Sequence, residues 1–351
     1  MLVVLEHLNV QNIVHQNGLV HHGYRFVDFF FVLSGFVIAH AYRNRLQAGG
    51  RAVRSFLIRR VGRLWPLHVV MLGVFILFEI GISIASHSGI SLGHEAFTDR
   101  NTVPGIGANL ALLQGLGIFD RLTWNTPSWS ISTEAFAYVL FAGVAALVPV
   151  RRLDLVVGVL LVVAAVVVLL VAPLGMASTY DFGVFRCIYG FMAGVLARRV
   201  WGSYAVRVGT AGEIVIVIAI LGAVILLPLD GSALLVTPLF AIAVWAFAAE
   251  SGAVSRALRT TVPQALGRWS YSIYMVHVLI ALGILTTAMI VSKHGMVVFA
   301  RVHDVVTIVG PTWFTTLIEI VYVAMVVLLA SFTYRLIEVP GQRLFGRWAK
   351  S

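Results

Sequence analysis

The sequence predicts an all-α fold, a polytopic bundle of about ten spanning helices, each needing ~20 mainly apolar residues. Three observations predict it. Apolar residues make up 60% of the 351 residues and charged residues only 11%, against ~25% charged in soluble domains. So little charge cannot cover a water-exposed surface. Apolar runs of spanning length recur along the chain, and the basic residues between them fall mainly on alternate loops.

In order, the apolar runs occupy 27–42, 64–86, 129–148, 153–173, 183–199, 213–228, 233–249, 270–292 and 313–337. The run 153–173 is the clearest, being almost wholly Val, Leu and Ala. Residues 1–14 are a weaker first span, because MLVVL meets Glu6 and His7. No charged leader or small-residue cleavage site is visible, so this is not a signal peptide. Either this helix is shortened at its N-terminus, which is the expectation preferred, or it does not cross fully. The run 106–119 is short and holds Gly107, Asn109, Gln114, Gly115 and Gly117. It reads either as a span or as a re-entrant piece.

The basic residues decide between these, since cytoplasmic loops carry the Lys and Arg excess. With the N-terminus inside and 106–119 non-spanning, nineteen of the 25 basic residues lie in inside loops. Arg25, Arg100, Arg121, Lys293 and Arg301 lie outside, and Arg186 falls within a span. A spanning 106–119 would send most later basic residues outside. The favoured topology has ten spans, an outside loop over about 87–128 and both termini in the cytoplasm; the resemblance described below implies the inner (plasma) membrane.

No internal repeat, low-complexity segment or soluble domain is visible, so 1–351 reads as one transmembrane domain without a fused soluble domain. The net charge of +10 suits anionic partners in general. Its placement is a topology signal, however, and no nucleic-acid partner is expected. The single Cys187 sits in an apolar run with nothing near it to make a thiolate, so it is a structural thiol.

Charges within spans cost ~2.5–3.5 kcal/mol at a helix centre, so each needs a reason. The residues concerned are His7, Asp28, Glu79, Glu134, Arg186, His277 and Glu319. His7 suits a general base near neutral pH. Glu6 adjoins it, but helical neighbours at i and i+1 face apart, so it is given no orienting role. Asp28 opens the run DFFFVLSGF and either caps its helix through the dipole or orients His7 across the short hairpin. Arg60 and Arg63, in RRVGRLWP, share a helix face at the cytoplasmic surface. Two such forks suit a phosphate-bearing ligand, although ordinary inside-positive charge gives the same pattern.

Glu134 lies in TWNTPSWSISTEAFAYVLF. Thr126 and Pro127 begin that helix, and Ser130 and Tyr138 share a face with Glu134, which suggests a carboxylate facing a cavity. Tyr271, Tyr274 and His277 in SYSIYMVH have i, i+3 spacing and are either substrate contacts or interface anchors. Arg186 is expected to pair with Glu79 or Glu319. No cysteine or carboxylate completes a ligand set around His15, His21 and His22, so they read as loop histidines and no metal site is expected. There is no Walker-type loop, GxSxG, HExxH or CxxC pattern. Three classes remain, a membrane enzyme, a secondary transporter of a small polar solute or an acyl or glycan precursor, and a structural or assembly protein, which the intramembrane carboxylates disfavour. Intramembrane Glu, Arg and His suit the transporter, but the repeat symmetry common in transporters is not seen.

Six pieces occur in one order: His7, DFFFVLSGF, RRVGRLWP, WSISTEAFAYVLF, WSYSIYMVH and YRLIEVP. This series, running from residue 7 to residue 340, resembles the acyltransferase 3 family of membrane acyltransferases, which modify cell-envelope and exported carbohydrates. The resemblance implies acyl-CoA, most simply acetyl-CoA, as co-substrate with no bound cofactor. It implies transfer to a hydroxyl of a polysaccharide, lipopolysaccharide or lipid-linked glycan. It implies His7 as catalytic base, Arg60 and Arg63 as the RxxR pair at the CoA phosphates, and Glu134 as the glutamate of a WSxxxE motif. The family's arginine upstream of that histidine would fall before Met1, which implies a start assigned too late or an incomplete copy. In the expected mechanism neutral His7 takes the hydroxyl proton while Glu134 or Asp28 fixes its tautomer. Ser130, Tyr138, Arg186, Tyr274 and His277 are possible substrate or oxyanion contacts. Direct transfer and an acyl-histidine relay both stay open.

Overall fold

A computed structural model describes residues 1–12, 14–15, 17–88, 95–204, 206–228, 231–293, 299–302 and 305–350. Part of the expected 87–128 loop, residues 89–94, lies outside the described residues, as do the side chains of Lys293 and Arg301. The helices are α1 Leu2–Glu6, α2 Gly18–His21, α3 Phe26–Tyr42, α4 Gly50–His87, α5 Val103–Leu110, α6 Trp129–Leu147 and α7 Val150–Leu170. They continue as α8 Gly183–Ser203, α9 Gly209–Leu226, α10 Val236–Phe247, α11 Ala253–Leu258, α12 Thr261–Arg268, α13 Ser270–Lys293, α14 Thr312–Thr333 and α15 Val339–Trp348. A helix thus stands at each of the nine apolar runs.

Among the described residues α3, α4, α6, α7, α9, α13 and α14 are long and apolar enough to cross a membrane, as fits a multi-pass membrane protein. The lipid-ready surface is plain on α7, where Leu155, Val162, Leu169 and Leu170 are exposed. Among α1–α15, α8 stands apart. It carries Arg186, Arg198 and Arg199 and is buried along most of its length. Gly190 and Gly194 on α8 and Gly35 on α3 let these two helices touch backbone to backbone. A Cβ on Gly194 would sit 1.9 Å from Val32 O, and one on Gly35 1.9 Å from Phe191 O. This is the small-xxx-small packing of membrane helices, and it sets Asp28 beside Arg186.

Three elements differ from the sequence reading. The weak first span is a helix only over Leu2–Glu6. The span expected at 64–86 begins at Gly50; its 38 residues reach about 57 Å, well beyond a ~30 Å hydrocarbon core. A two-stranded antiparallel hairpin, β1 Phe299–Val302 with β2 Val305–Ile308, also appears in the otherwise helical chain, and Ile308 bridges to Val10.

The run 106–119 turns back on itself and is not one continuous helix. Asn101 donates to Glu79 Oε1 at 2.7 Å, whereas Leu110 O accepts from Trp65 Nε1 at 3.0 Å. Positions 65 and 79 on one helix lie about 21 Å apart at 1.5 Å per residue, so the segment descends that far along α4. It returns to its entry, because Trp124 N donates to Arg100 O at 3.1 Å. Non-helical backbone at such depth must be enclosed by protein. Gln114 accordingly donates to Ser128, and the Gly115 N–H to Ser132 Oγ.

One end of the bundle is tied by arginine. Asp154 accepts from Arg43 at 2.5 Å and from Arg199 at 2.9 Å, joining α3, α7 and α8. At the same end α14 passes through a π-turn, Tyr334–Glu338, into α15. There Gly341 packs on Pro66 and Phe345 on Gly62 of α4.

Candidate active site

His7 is the C-cap residue of α1. Its Nδ1 lies 2.8 Å from Val3 O and 3.0 Å from Glu6 Oε2. Both partners accept only, so Nδ1 carries the proton, and in the neutral ring Nε2 then keeps its lone pair. Glu6, set aside by the sequence reading, is therefore the carboxylate at this histidine. The rule that neighbours face apart holds inside a helix, and α1 ends at Glu6.

His277 stands against His7 edge-on, with ring centroids 4.7 Å apart. Its Nδ1 lies 2.6 Å from Tyr274 O, while Nε2 is buried without a partner. Tyr322 hydroxyl donates to Val4 O at 3.1 Å, which fixes α1 against α14. His7, Glu6, Tyr24, Trp129, Arg186 and Tyr274 line a cavity of about 350 Å³.

Asp28 does not orient His7. Its carboxylate takes Nε of Arg186 at 2.7 Å and NH2 at 3.0 Å. The expected pairing of Arg186 with Glu79 or Glu319 is corrected by the same contacts. Glu79 receives Phe97 N and Asn101 instead, and Glu319 receives Asn12 at 2.8 Å. Arg186 also donates to Ser178 O and Tyr24 O and lies 5.4 Å from the Trp129 ring centroid. Four of its five N–H groups are thus engaged, leaving one for the cavity it lines.

Glu134 does not reach His7 either. It accepts from Tyr138 at 2.5 Å, and Ser34 Oγ lies 3.0 Å from the same hydroxyl. Both residues belong to a second cavity of about 510 Å³, which Arg59, Arg60 and Arg63 line at the arginine-rich end. Phe30, Leu33 and Val37 of α3 form an apolar flank, and Ser130 and Tyr274 stand deeper in the bundle. Arg60 lies 5.4 Å from the Tyr42 ring centroid, and its Nε has no hydrogen-bond partner. Arg63 lies 3.8 Å from Glu338 Oε1.

The two cavities share Val27 and Tyr274 as a common wall. Ser130 Oγ donates to the Tyr274 hydroxyl at 2.9 Å, and that hydroxyl donates to Pro127 O at 3.0 Å. Sequence reasoning thus picked residues from both chambers but joined them wrongly. Glu6, which it set aside, and Tyr24 carry no spacing signal, and Glu338 lies within YRLIEVP without having been singled out. Their roles come from a helix end, a turn and a π-turn. Away from the site, His21 and His22 face each other at 5.0 Å, His15 N donates to Asn12, and Cys187 is a buried free thiol.

The family model described as an acyltransferase domain, of the acyltransferase 3 type, matches residues 8–335. The chain is 31% identical over 157 residues to protein 2 in the picA locus of Rhizobium radiobacter, covering 42% of this chain and 78% of that protein. It is also 31% identical over 132 residues to the acyltransferase MdmB of Streptomyces mycarofaciens, covering 36% of this chain and 30% of that protein. No solved structure matches the chain.

Proposed function

Because the chain belongs to the acyltransferase 3 family of membrane acyltransferases, we propose that it moves an acyl group, most simply acetyl, from cytoplasmic acyl-CoA to a hydroxyl of a cell-surface or exported carbohydrate. The observation that carries this reading is the shared wall. A cavity with three arginines at its mouth and an apolar flank meets a separate chamber holding a histidine base, at Val27 and Tyr274. A donor with a phosphate-rich head and a thioester tail fits the first cavity. A hydroxyl acceptor fits the second. In this reading the arginine-rich end and both termini face the cytoplasm, and the protein sits in the inner membrane.

The chemistry follows from His7. The acceptor hydroxyl attacks the thioester carbonyl while His7 Nε2 takes its proton, a step typically worth ~10²–10⁴-fold. The C–S bond then breaks, and the leaving thiolate takes the proton from the imidazolium. Glu6 and Val3 O hold the ring and its tautomer. The spare N–H of Arg186 is the donor available to the oxyanion; the hydroxyl protons of Ser130 and Tyr274 are already given to Tyr274 and Pro127 O. The thioester must reach the wall for this, so Tyr274 stands where the two substrates meet.

The test follows label from acetyl-CoA into the glycan fraction of membranes, together with release of free CoA thiol. Variants His7→Ala and Arg63→Ala are compared at matched expression. His7→Ala should lower turnover at least ~10²-fold, and Arg63→Ala should raise the KM for acetyl-CoA. Near-wild-type turnover in His7→Ala would remove the assigned base.

A further inference from the structure

Beside the donor cavity lies a cleft of about 360 Å³ that this reading leaves unused. It shares Arg63, Gly267 and Gln342 with the donor cavity, so the two join at Arg63. Its remaining walls include Gln264, Arg268, Tyr334 and Glu338, a mainly polar set quite unlike the apolar flank of α3.

The π-turn Tyr334–Glu338 builds one side of this cleft, and such turns often mark functional positions. It turns Glu338 inward, to 1% exposure. There the carboxylate accepts from Ser272 Oγ at 2.9 Å and from Gln342 Nε2 at 3.1 Å, with Oε1 3.8 Å from Arg63. Arg63 is thus held at the junction and partly neutralised. Arg268, in the last turn of α12, is exposed and has no carboxylate partner among the described residues.

Resting on the acyl-CoA reading above, we infer that this side cleft takes the 3′-phosphoadenosine end of the donor, with Arg268 binding the 3′-phosphate. CoA carries phosphate at two separate places, a diphosphate next to the pantetheine arm and a monophosphate on the ribose. A donor entering thiol-first along the α3 flank brings its diphosphate to Arg60 and Arg63 and leaves its nucleotide just past them. The cleft is the continuous space at that point, and it holds a further guanidinium, the group suited to a terminal phosphate. Gln342 gives its N–H to Glu338, so its Oε1 is the acceptor left for an amino group such as that of adenine. Tyr334 supplies a ring on which a base stacks.

The experiment is calorimetric titration of the full-length protein in detergent with CoA and with 3′-dephospho-CoA. The wild type should bind CoA about tenfold more tightly than the dephospho form, the size of one accessible charge-assisted hydrogen bond. Arg268→Gln should bring that ratio near one by weakening CoA alone. Arg256→Gln, an exposed arginine that lines neither cavity, should keep the wild-type ratio. Arg63→Ala should weaken both nucleotides alike. A wild type that binds CoA without discriminating between the two, an Arg268→Gln that weakens both equally, or an Arg256→Gln that also removes the ratio overturns the cleft assignment alone. A wild type that binds neither nucleotide overturns the donor reading, and the cleft assignment with it.

Discussion

Glu6→Gln asks which carboxylate serves His7. Gln keeps the shape of the side chain, and Val3 O still holds Nδ1–H at 2.8 Å, so the tautomer survives. What disappears is a negative charge 3.0 Å from a ring that becomes cationic as it takes the proton. Oε2 of Glu6 takes no hydrogen bond, so the term lost is the charge pair, and an opposite charge this close typically stabilises a charged group by about 1.4–4 kcal/mol. The His7 and Glu6 side chains are 30% and 27% exposed, and screening at that exposure favours the lower part of the range. The expected loss is about 1.4–2 kcal/mol, or roughly ten- to thirtyfold in kcat. The assay is the initial rate of CoA thiol release at saturating acetyl-CoA in membranes containing the acceptor. Residues acting as one unit are non-additive, so Glu6→Gln should add almost nothing once His7 is alanine. A rate within twofold of wild type, or an undiminished effect in the His7→Ala background, would refute the pairing.

Two further outcomes follow from the packing. Asp28→Asn leaves the guanidinium of Arg186 buried at 1% exposure without its counter-charge, at a cost of about 3–5 kcal/mol; unfolding in mixed micelles should record this, and Asp28→Leu with Arg186→Met should regain most of it. A normally stable but inactive Asp28→Asn protein would instead make Asp28 part of the chemistry. Gly194→Ala drives a methyl to 1.9 Å from Val32 O, so α3 and α8 must separate, and folded yield and melting temperature in detergent should both fall steeply. An unchanged melting temperature would mean the two helices are not locked at this point.

Much of the fold was legible because the bilayer asks for so little. A run such as 153–173 has to span, and α7 covers Val150–Leu170. The arginine asymmetry likewise set 106–119 apart from the spans. The site was harder to read. Asp28, Glu134 and Arg186 were all identified as costly residues at depth, but cost does not name a partner. Asp28 meets Arg186 only because glycines at 35, 190 and 194 bring two helices together. Gly190 and Gly194 form a GxxxG pattern that could have been read as a packing face. Nothing comparable could have announced that α1 stops at Glu6, or that a π-turn brings Glu338 to Arg63.

If the protein sits in an energised membrane as proposed, the wall formed by Val27 and Tyr274 has a further consequence. Each elementary charge that slips across a membrane dissipates about 2.3 kcal/mol per 100 mV. Two water-accessible hollows meeting end to end would make a conduit for protons if they merged. A buried valine, and a tyrosine whose hydroxyl is tethered to Ser130 and Pro127, interpose a plug between them. In the proposed reading the substrates would meet at this plug while it keeps the two hollows from joining into one proton path.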